Sequence, residues 1–244
     1  VYYAFTDRSG VFSLSNITAL ADYKDTFIIS VWYSVIATVI TLVIAYPFAY
    51  ALSRFGANTQ RMMMLLVMLP MWMNLLIRTY SWMNILERNG IINNVLAGFG
   101  IEPLKMIGTP GAVILGMVYN YLPYMILPIY TVMSKLDITL LEAADDLGAN
   151  AFQRLRTLVI PLSMPGVISG ITMVFVPSVS TFYISQKLGG GKIMLIGDAI
   201  ERQIQQQYNY NLGASISLVL MVMILISMAI MNRFASDDAE RLVV

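Results

Sequence analysis

The charged side chains best placed to do chemistry are gathered in residues 140–166, where Glu142, Asp145, Asp146, Arg154 and Arg156 interrupt an otherwise apolar sequence. The chain has no His and no Cys, so imidazole acid–base chemistry, thiolate nucleophiles and the commonest soft metal sites are ruled out. Without those groups, carboxylates and guanidinium groups at this spacing serve helix ends and protein contacts better than catalysis. Thr139 followed by Glu142 fits a capping box, in which hydroxyl and carboxylate satisfy free backbone donors of a first turn. Asp145 stands near the positive end of the same helix. Gly148 fits its C-terminal stop. A second helix is expected from about Asn150, running with Arg154 and Arg156 toward Pro161. "LGGGKIM" at 188–194 is not a nucleotide loop. A P-loop places Gly-Lys before Ser or Thr at a strand–helix turn, and here Ile193 follows Lys192. Its glycines fit an outer turn instead. No catalytic, cofactor-binding or metal-ligating residues are expected.

The elements that must position this block are set by composition. Hydrophobic residues make up 58% of the 244 positions and charged residues 12%, about half the share usual in soluble domains. So little charge cannot cover a globular surface in water, so lipid must be part of the solvent. The net charge of +1 gives no reason to expect nucleic acid. Met, at 18 residues, suits lipid-facing and sliding helix surfaces. No charged residue occurs between Asp25 and Arg54, Lys105 and Lys135, Arg156 and Lys187, or Arg202 and Arg233. A fifth run, residues 62–86, contains only Arg78. Each exceeds the roughly 20 residues a spanning helix requires. The expectation is an all-α membrane protein, one domain over 1–244, with helices near 27–52, 62–86, 111–134, 162–185 and 213–234. Outer loops fall near 6–26, 87–110 and 186–212, and the charged block forms a loop at about 137–161.

Tyr2, Tyr3 and Phe5 suit a lipid–water boundary, and the chain opens at Val1, so a missing or truncated first helix is expected upstream. No basic region or apolar core of a cleavable signal precedes residue 6. Lys and Arg divide equally between the two sides of the membrane, so their count sets no orientation. Pro47, Pro70, Pro123, Pro128, Pro165 and Pro177 fall within the apolar runs. Each removes a backbone donor and favours a kink, which lipid tolerates only where neighbouring helices or water satisfy the freed carbonyl. The pattern predicts a packed bundle around a path.

The charged block carries a further spacing: Glu142-Ala143-Ala144, three residues, Gly148, nine residues, then Leu158-Val159-Ile160-Pro161. This resembles the EAA motif of ABC importer permeases, with Ile160 where Leu is usual. "AYPFAY", "LPMWMNLLIRTYSWMNIL", "GMVYNYLPYMILPIYTVMSKLD", "LEAADDLGA" and "GGGKIMLIGDAI" together resemble the B-type permease subunit of spermidine/putrescine importers. The likeness departs at 205–215, where a Trp and a Pro would be expected before Leu212-Gly213-Ala214. It implies a type I ABC importer transmembrane domain in the bacterial cytoplasmic (inner) membrane, with a cytoplasmic coupling helix. Glu142, Ala143, Ala144, Asp145, Gly148 and Pro161 would then serve ATPase coupling. The partners implied are a cytoplasmic ABC ATPase dimer that binds ATP and Mg, a second permease subunit forming a heterodimer, and an extracytoplasmic solute receptor. The coupling helix also fixes orientation.

A polyamine path would need to attract cations, yet no Asp or Glu lies within an expected span. Aromatic faces can do so, and Trp72, Tyr80, Trp82, Tyr119, Tyr121 and Tyr124 are candidates beside Arg78. Core or interface packing is the competing fate of each ring. Arg78 either faces the interior or snorkels to the outer interface. Permeases for sulfate, molybdate or iron share the same block and form one alternative. A secondary transporter forms another, but it would need ionisable groups near the midplane, where only Arg78 is available.

Overall fold

The computed structural model describes residues 2–7 and 10–241. Its long helices are α1 (Lys24–Ser53), α2 (Ala57–Trp72), α3 (Leu75–Leu86), α4 (Ile91–Gly98) and α5 (Pro110–Met133). The charged block supplies α6 (Ile138–Asp146) and α7 (Ala151–Arg154), followed by a wide π turn, Leu155–Val159. Then come α8 (Ile160–Ser180), α9 (Tyr183–Leu188), α10 (Ile196–Glu201), a second π turn (Arg202–Gln206) and α11 (Tyr210–Arg241). Among the described residues four helical stretches are long and apolar enough to cross a membrane, and a fifth if the broken pair of α2 with α3–α4 counts as one.

Two expected spans are interrupted. The 62–86 run breaks after Trp72, where Asn74 takes an extended conformation and its Oδ1 accepts the Leu76 N–H at 2.7 Å, capping α3. Periodicity could not show this, because apolar residues continue through the break. The 162–185 run ends at Ser180. A Cβ at Gly197 would lie 2.5 Å from the Ser180 and Thr181 carbonyl oxygens, so α10 packs directly on the end of α8. The 6–26 loop contains short helical turns at Ser15–Thr18 and Ala19–Tyr23. The polar tail continues α11 as far as Arg241, and residues 242–244 of that tail lie outside the described residues.

The chain divides into two compact units. The first holds residues 1–38, 73–120 and 175–226. Its core joins Val179, Ile196, Ala199, Ile216 and Leu220. Polar side chains fasten its irregular parts. Ser30 Oγ accepts the Ile196 N–H at 2.8 Å, and the buried Asn211 donates to the Thr6 carbonyl at 2.7 Å. Ser215 Oγ donates to the Ala4 carbonyl at 3.0 Å. These bonds settle backbone groups that lipid would leave unpaired at several kcal/mol each. Gly190 and Gly191, both at positive φ, lie in the turn between α9 and α10.

The second unit holds residues 39–72, 121–174 and 227–244. Its core gathers Ala45, Ala49, Met125, Ile129, Met133, Val159 and Val167. At Gly170 an added Cβ would meet Met125 Sδ at 2.6 Å, so α8 and α5 approach at near-backbone contact. Tyr46 OH and Ser163 Oγ lie 2.9 Å apart, and Tyr130 OH donates to Gln60 Oε1 at 2.8 Å. Buried polar pairs of this kind fix register in an interior where unpaired groups are costly.

Candidate functional site

The charged block, all in the second unit, is a helix–turn–helix. α6 starts at Asp137, whose Oδ1 accepts the Thr139 N–H at 3.0 Å. That hydrogen bond holds the Asp137 carboxyl below the usual carboxylate range. The expected Thr139–Glu142 capping box is therefore replaced by an aspartate two residues earlier. The competing group is the shorter carboxylate at the end of α5's tail, which sits at the better N-cap position. Leu141 roots α6 in the core, while Glu142, Ala143 and Asp145 are exposed and Ala144 is half-buried.

The end of α6 is a Schellman closure. Gly148 has φ +80°, its N–H donates to the Asp145 carbonyl at 2.9 Å, and the Ala149 N–H donates to the Ala144 carbonyl at 3.0 Å. Glycine meets this left-handed geometry without a Cβ clash. Asn150 and Gln153 form the capping box that opens α7, with bonds of 2.8 and 2.9 Å. Arg154 turns back to both Asp145 carboxylate oxygens. Pro161 is half-buried in the first turn of α8, just past the π turn.

The outer face of this block is apolar where it is most prominent. Leu147 is 89% exposed, and Ile138, Leu140 and Phe152 are exposed beside it. A cavity of about 460 Å³ lies against the block, lined by Arg54, Gln60, Glu142, Asp145 and Arg154 among others. No residue here is set up for bond chemistry. The block instead presents a hydrogen-bonded turn flanked by exposed apolar side chains.

Of the candidate path residues, the first unit holds Arg78, Tyr80, Trp82 and Tyr119. Arg78 is buried, at 8% exposure, and its Nε and Nη1 have no hydrogen-bond partner within the described residues. Within this unit it is interior and does not reach out to solvent. Trp82 and Tyr119 meet edge to face at 5.3 Å. Tyr80 packs edge to face on Tyr183 at 6.3 Å, with Lys187 over both rings. In the second unit Tyr121 and Tyr124 lie 6.4 Å apart, and Trp72 is 77% exposed.

Sequence reasoning missed Tyr183, Lys187, Asp198 and Glu201. Asp198 is buried on α10, where its Oδ2 accepts the Leu195 N–H at 2.8 Å and Oδ1 has no hydrogen-bond partner among the described residues. Burial raises its pKa to about 6, opposed by the nearby Ser185 hydroxyl and the Leu195 N–H. Glu201 accepts from Gln186 at 3.0 Å. The available signal was an aspartate inside "LIGDAI", at a helix-start spacing from Leu195, within a stretch assigned to a solvated loop.

The profile of the family described as binding-protein-dependent transport system inner membrane component matches residues 26–236. The chain belongs to that family, a class of membrane-embedded transport subunits. Among curated relatives, the spermidine/putrescine transport system permease protein PotB of Haemophilus influenzae is 42% identical over 179 residues, covering 71% of this chain and 63% of that protein. PotB of Escherichia coli is 38% identical over 197 residues, covering 79% of this chain and 72% of that protein. A crystal structure of a bacterial ABC transporter involved in the import of alginate superimposes with a TM-score of 0.77. The superposition covers 97% of this chain and 87% of that one at 14% identity, and it shows the shared fold.

Proposed function

We propose that this chain is the permease subunit of an ATP-driven importer of polyamines such as spermidine and putrescine, and that it forms half of the translocation path. The observation that carries the transport mechanism is the α6–Gly148–α7 turn, locked by the Schellman closure and the Arg154–Asp145 pair. A partner that binds Leu147 and its neighbours can move this turn as one piece, so ATPase closure reaches α8 through a rigid lever. Glu142, Ala143, Ala144, Asp145, Gly148 and Pro161 take the coupling role. Hydrolysis of MgATP belongs to partner ATPase subunits, solute selection to an extracytoplasmic receptor, and the other half of the path to a second permease. The polyamine assignment rests on the likeness to the PotB proteins.

A second reading, an anion importer of the sulfate or molybdate kind, is favoured by one observation: Arg78 is buried, and two of its nitrogens have no hydrogen-bond partner among the described residues. The test is reconstitution of the chain with its partner subunits in proteoliposomes. ATP-driven uptake of labelled spermidine is expected, with no hydrolysis by this chain alone. Uptake of sulfate and not spermidine would replace the polyamine reading by the second one. Hydrolysis by the isolated chain would reject the permease assignment.

A further inference from the structure

Lys187 has an unusual environment for a lysine. Its Nζ lies 5.3 Å from the centroid of the Tyr80 ring and 5.7 Å from that of Tyr183. The two rings meet edge to face, with planes at 76°. Tyr183 and Lys187 are four residues apart on α9, so they share a face, and Tyr80 comes from α3. Among the described residues Lys187 forms no ion pair. The neighbouring Gln186 takes the Glu201 carboxylate instead. The ammonium is therefore held beside the two rings, which attract cations through their quadrupole, with the Tyr80 hydroxyl also within its reach. Tyr80 is 42% exposed, so the ring pair is open on one side.

A primary ammonium on a flexible chain is also the end group of a polyamine. We infer that the Tyr80–Tyr183 pair is a binding site for a primary alkylammonium, and that Lys187 is its resident occupant, displaced when a polycation arrives. This rests on the polyamine reading and adds a mechanism to it. The tethered competitor keeps the site from holding solute tightly, and it refills the rings as solute leaves. No bond is made or broken; one ammonium exchanges for another while the rings stay put.

The experiment uses the full transporter in lipid nanodiscs without its receptor, with spermidine binding measured by equilibrium dialysis. Lys187→Met removes the competitor and is expected to tighten spermidine binding roughly fivefold or more. Lys187→Gln, a second neutral variant, should tighten it likewise, which separates charge from packing. Lys192→Met, an exposed lysine across the Gly190–Gly191 turn, should leave it unchanged. Once Tyr80 and Tyr183 are both changed to Ala, Lys187→Met should bring no gain. Unchanged or weaker binding in both Lys187 variants, with ATP-driven spermidine uptake intact in the wild type, would overturn this inference alone. Loss of specificity for the rings, with Lys187→Met tightening binding equally in the double-alanine background, would overturn it too. A wild-type transporter that takes up no spermidine would overturn the polyamine reading and this site together.

Discussion

The Arg154 guanidinium reaches back across the Gly148 turn and holds Asp145 by both carboxylate oxygens, with Nη1 at 2.6 Å from Oδ1. The pair joins the last turn of α6 to the last residue of α7, on the segment proposed to receive force. An ion pair at a solvated surface contributes about 0.2–1 kcal/mol. Arg154→Gln is therefore expected to leave insertion and ATP hydrolysis in place and to lower uptake per ATP by up to roughly fivefold. The ratio of spermidine taken up to phosphate released, in proteoliposomes, checks this. An unchanged ratio would show that the pair carries no force.

Gly148 is held at φ +80°. Ala at such a position costs about 1–2 kcal/mol, whereas Pro also loses the N–H bonded to Asp145 and cannot adopt the angle. Gly148→Ala should weaken coupling mildly, and Gly148→Pro should uncouple transport from hydrolysis while the chain still inserts. Glu142→Lys, which reverses charge on the exposed face, should uncouple in the same assay. Because Asp137 and not Glu142 accepts the Thr139 N–H, Glu142→Ala should hardly change helix stability. Normal uptake in both Gly148→Pro and Glu142→Lys would reduce the block to a connecting loop.

Asp198 carries a pH dependence. Its carboxyl is raised by burial to about 6 from an ordinary 3.8. A raised folded-state pKa means that the contribution to stability is fully present below the unfolded value and is lost as pH rises through the folded one. The assembled transporter should therefore melt at a higher temperature near pH 5 than near pH 7.5, with the change centred between about 4 and 6. Asp198→Asn keeps an oxygen for the Leu195 N–H and removes the charge. It should raise the melting temperature at pH 7.5 and flatten this part of the profile. A variant with the wild-type slope would place the titrating group elsewhere.

The solute class separates by two sets of side chains. For a polyamine, Trp72→Ala or Tyr124→Ala should each weaken transport, by as much as about thirtyfold for a desolvated cation–π contact of about 2 kcal/mol. Receptor-stimulated hydrolysis should survive, since the coupling turn is untouched. For an anion, Arg78→Gln should abolish uptake, with Arg78→Lys retaining part of it, and the rings should be dispensable. Loss of uptake in Arg78→Gln with no effect in any ring variant would remove the polyamine reading and leave the permease intact.

Four of the five spans could be read from charge-free runs, because lipid allows little else between charges. The helix–turn–helix of the charged block could be read from its spacing and from Gly148, whose angle only a few residues accept. What could not be read was where an apolar run stops being one helix. Asn74 and Thr181 break helices inside uninterrupted hydrophobicity, and only tertiary contacts, such as Gly197 against the Ser180 and Thr181 carbonyls, decide it. The same breaks bring Tyr183 and Lys187 to Tyr80 and bury Asp198. The aromatic candidates were thus named without their partners, since pairing across α3 and α9 leaves no periodic trace.

The wide turn at Leu155–Val159 has a consequence for angle. A π turn holds one residue more than the α-helix around it, and each residue of an α-helix adds about 100° of rotation. Whatever follows, including the buried Val167 and Ile168, is therefore turned by that extra step relative to α7. The distance from Gly148 to Pro161 acts as a setting of phase more than of length. Deleting Thr157 would let the turn relax to α and leave the inward stripe of α8 in place, because the π turn had absorbed that one residue. Deleting a second residue would have no such slack to draw on and would swing the stripe by about 100° toward lipid.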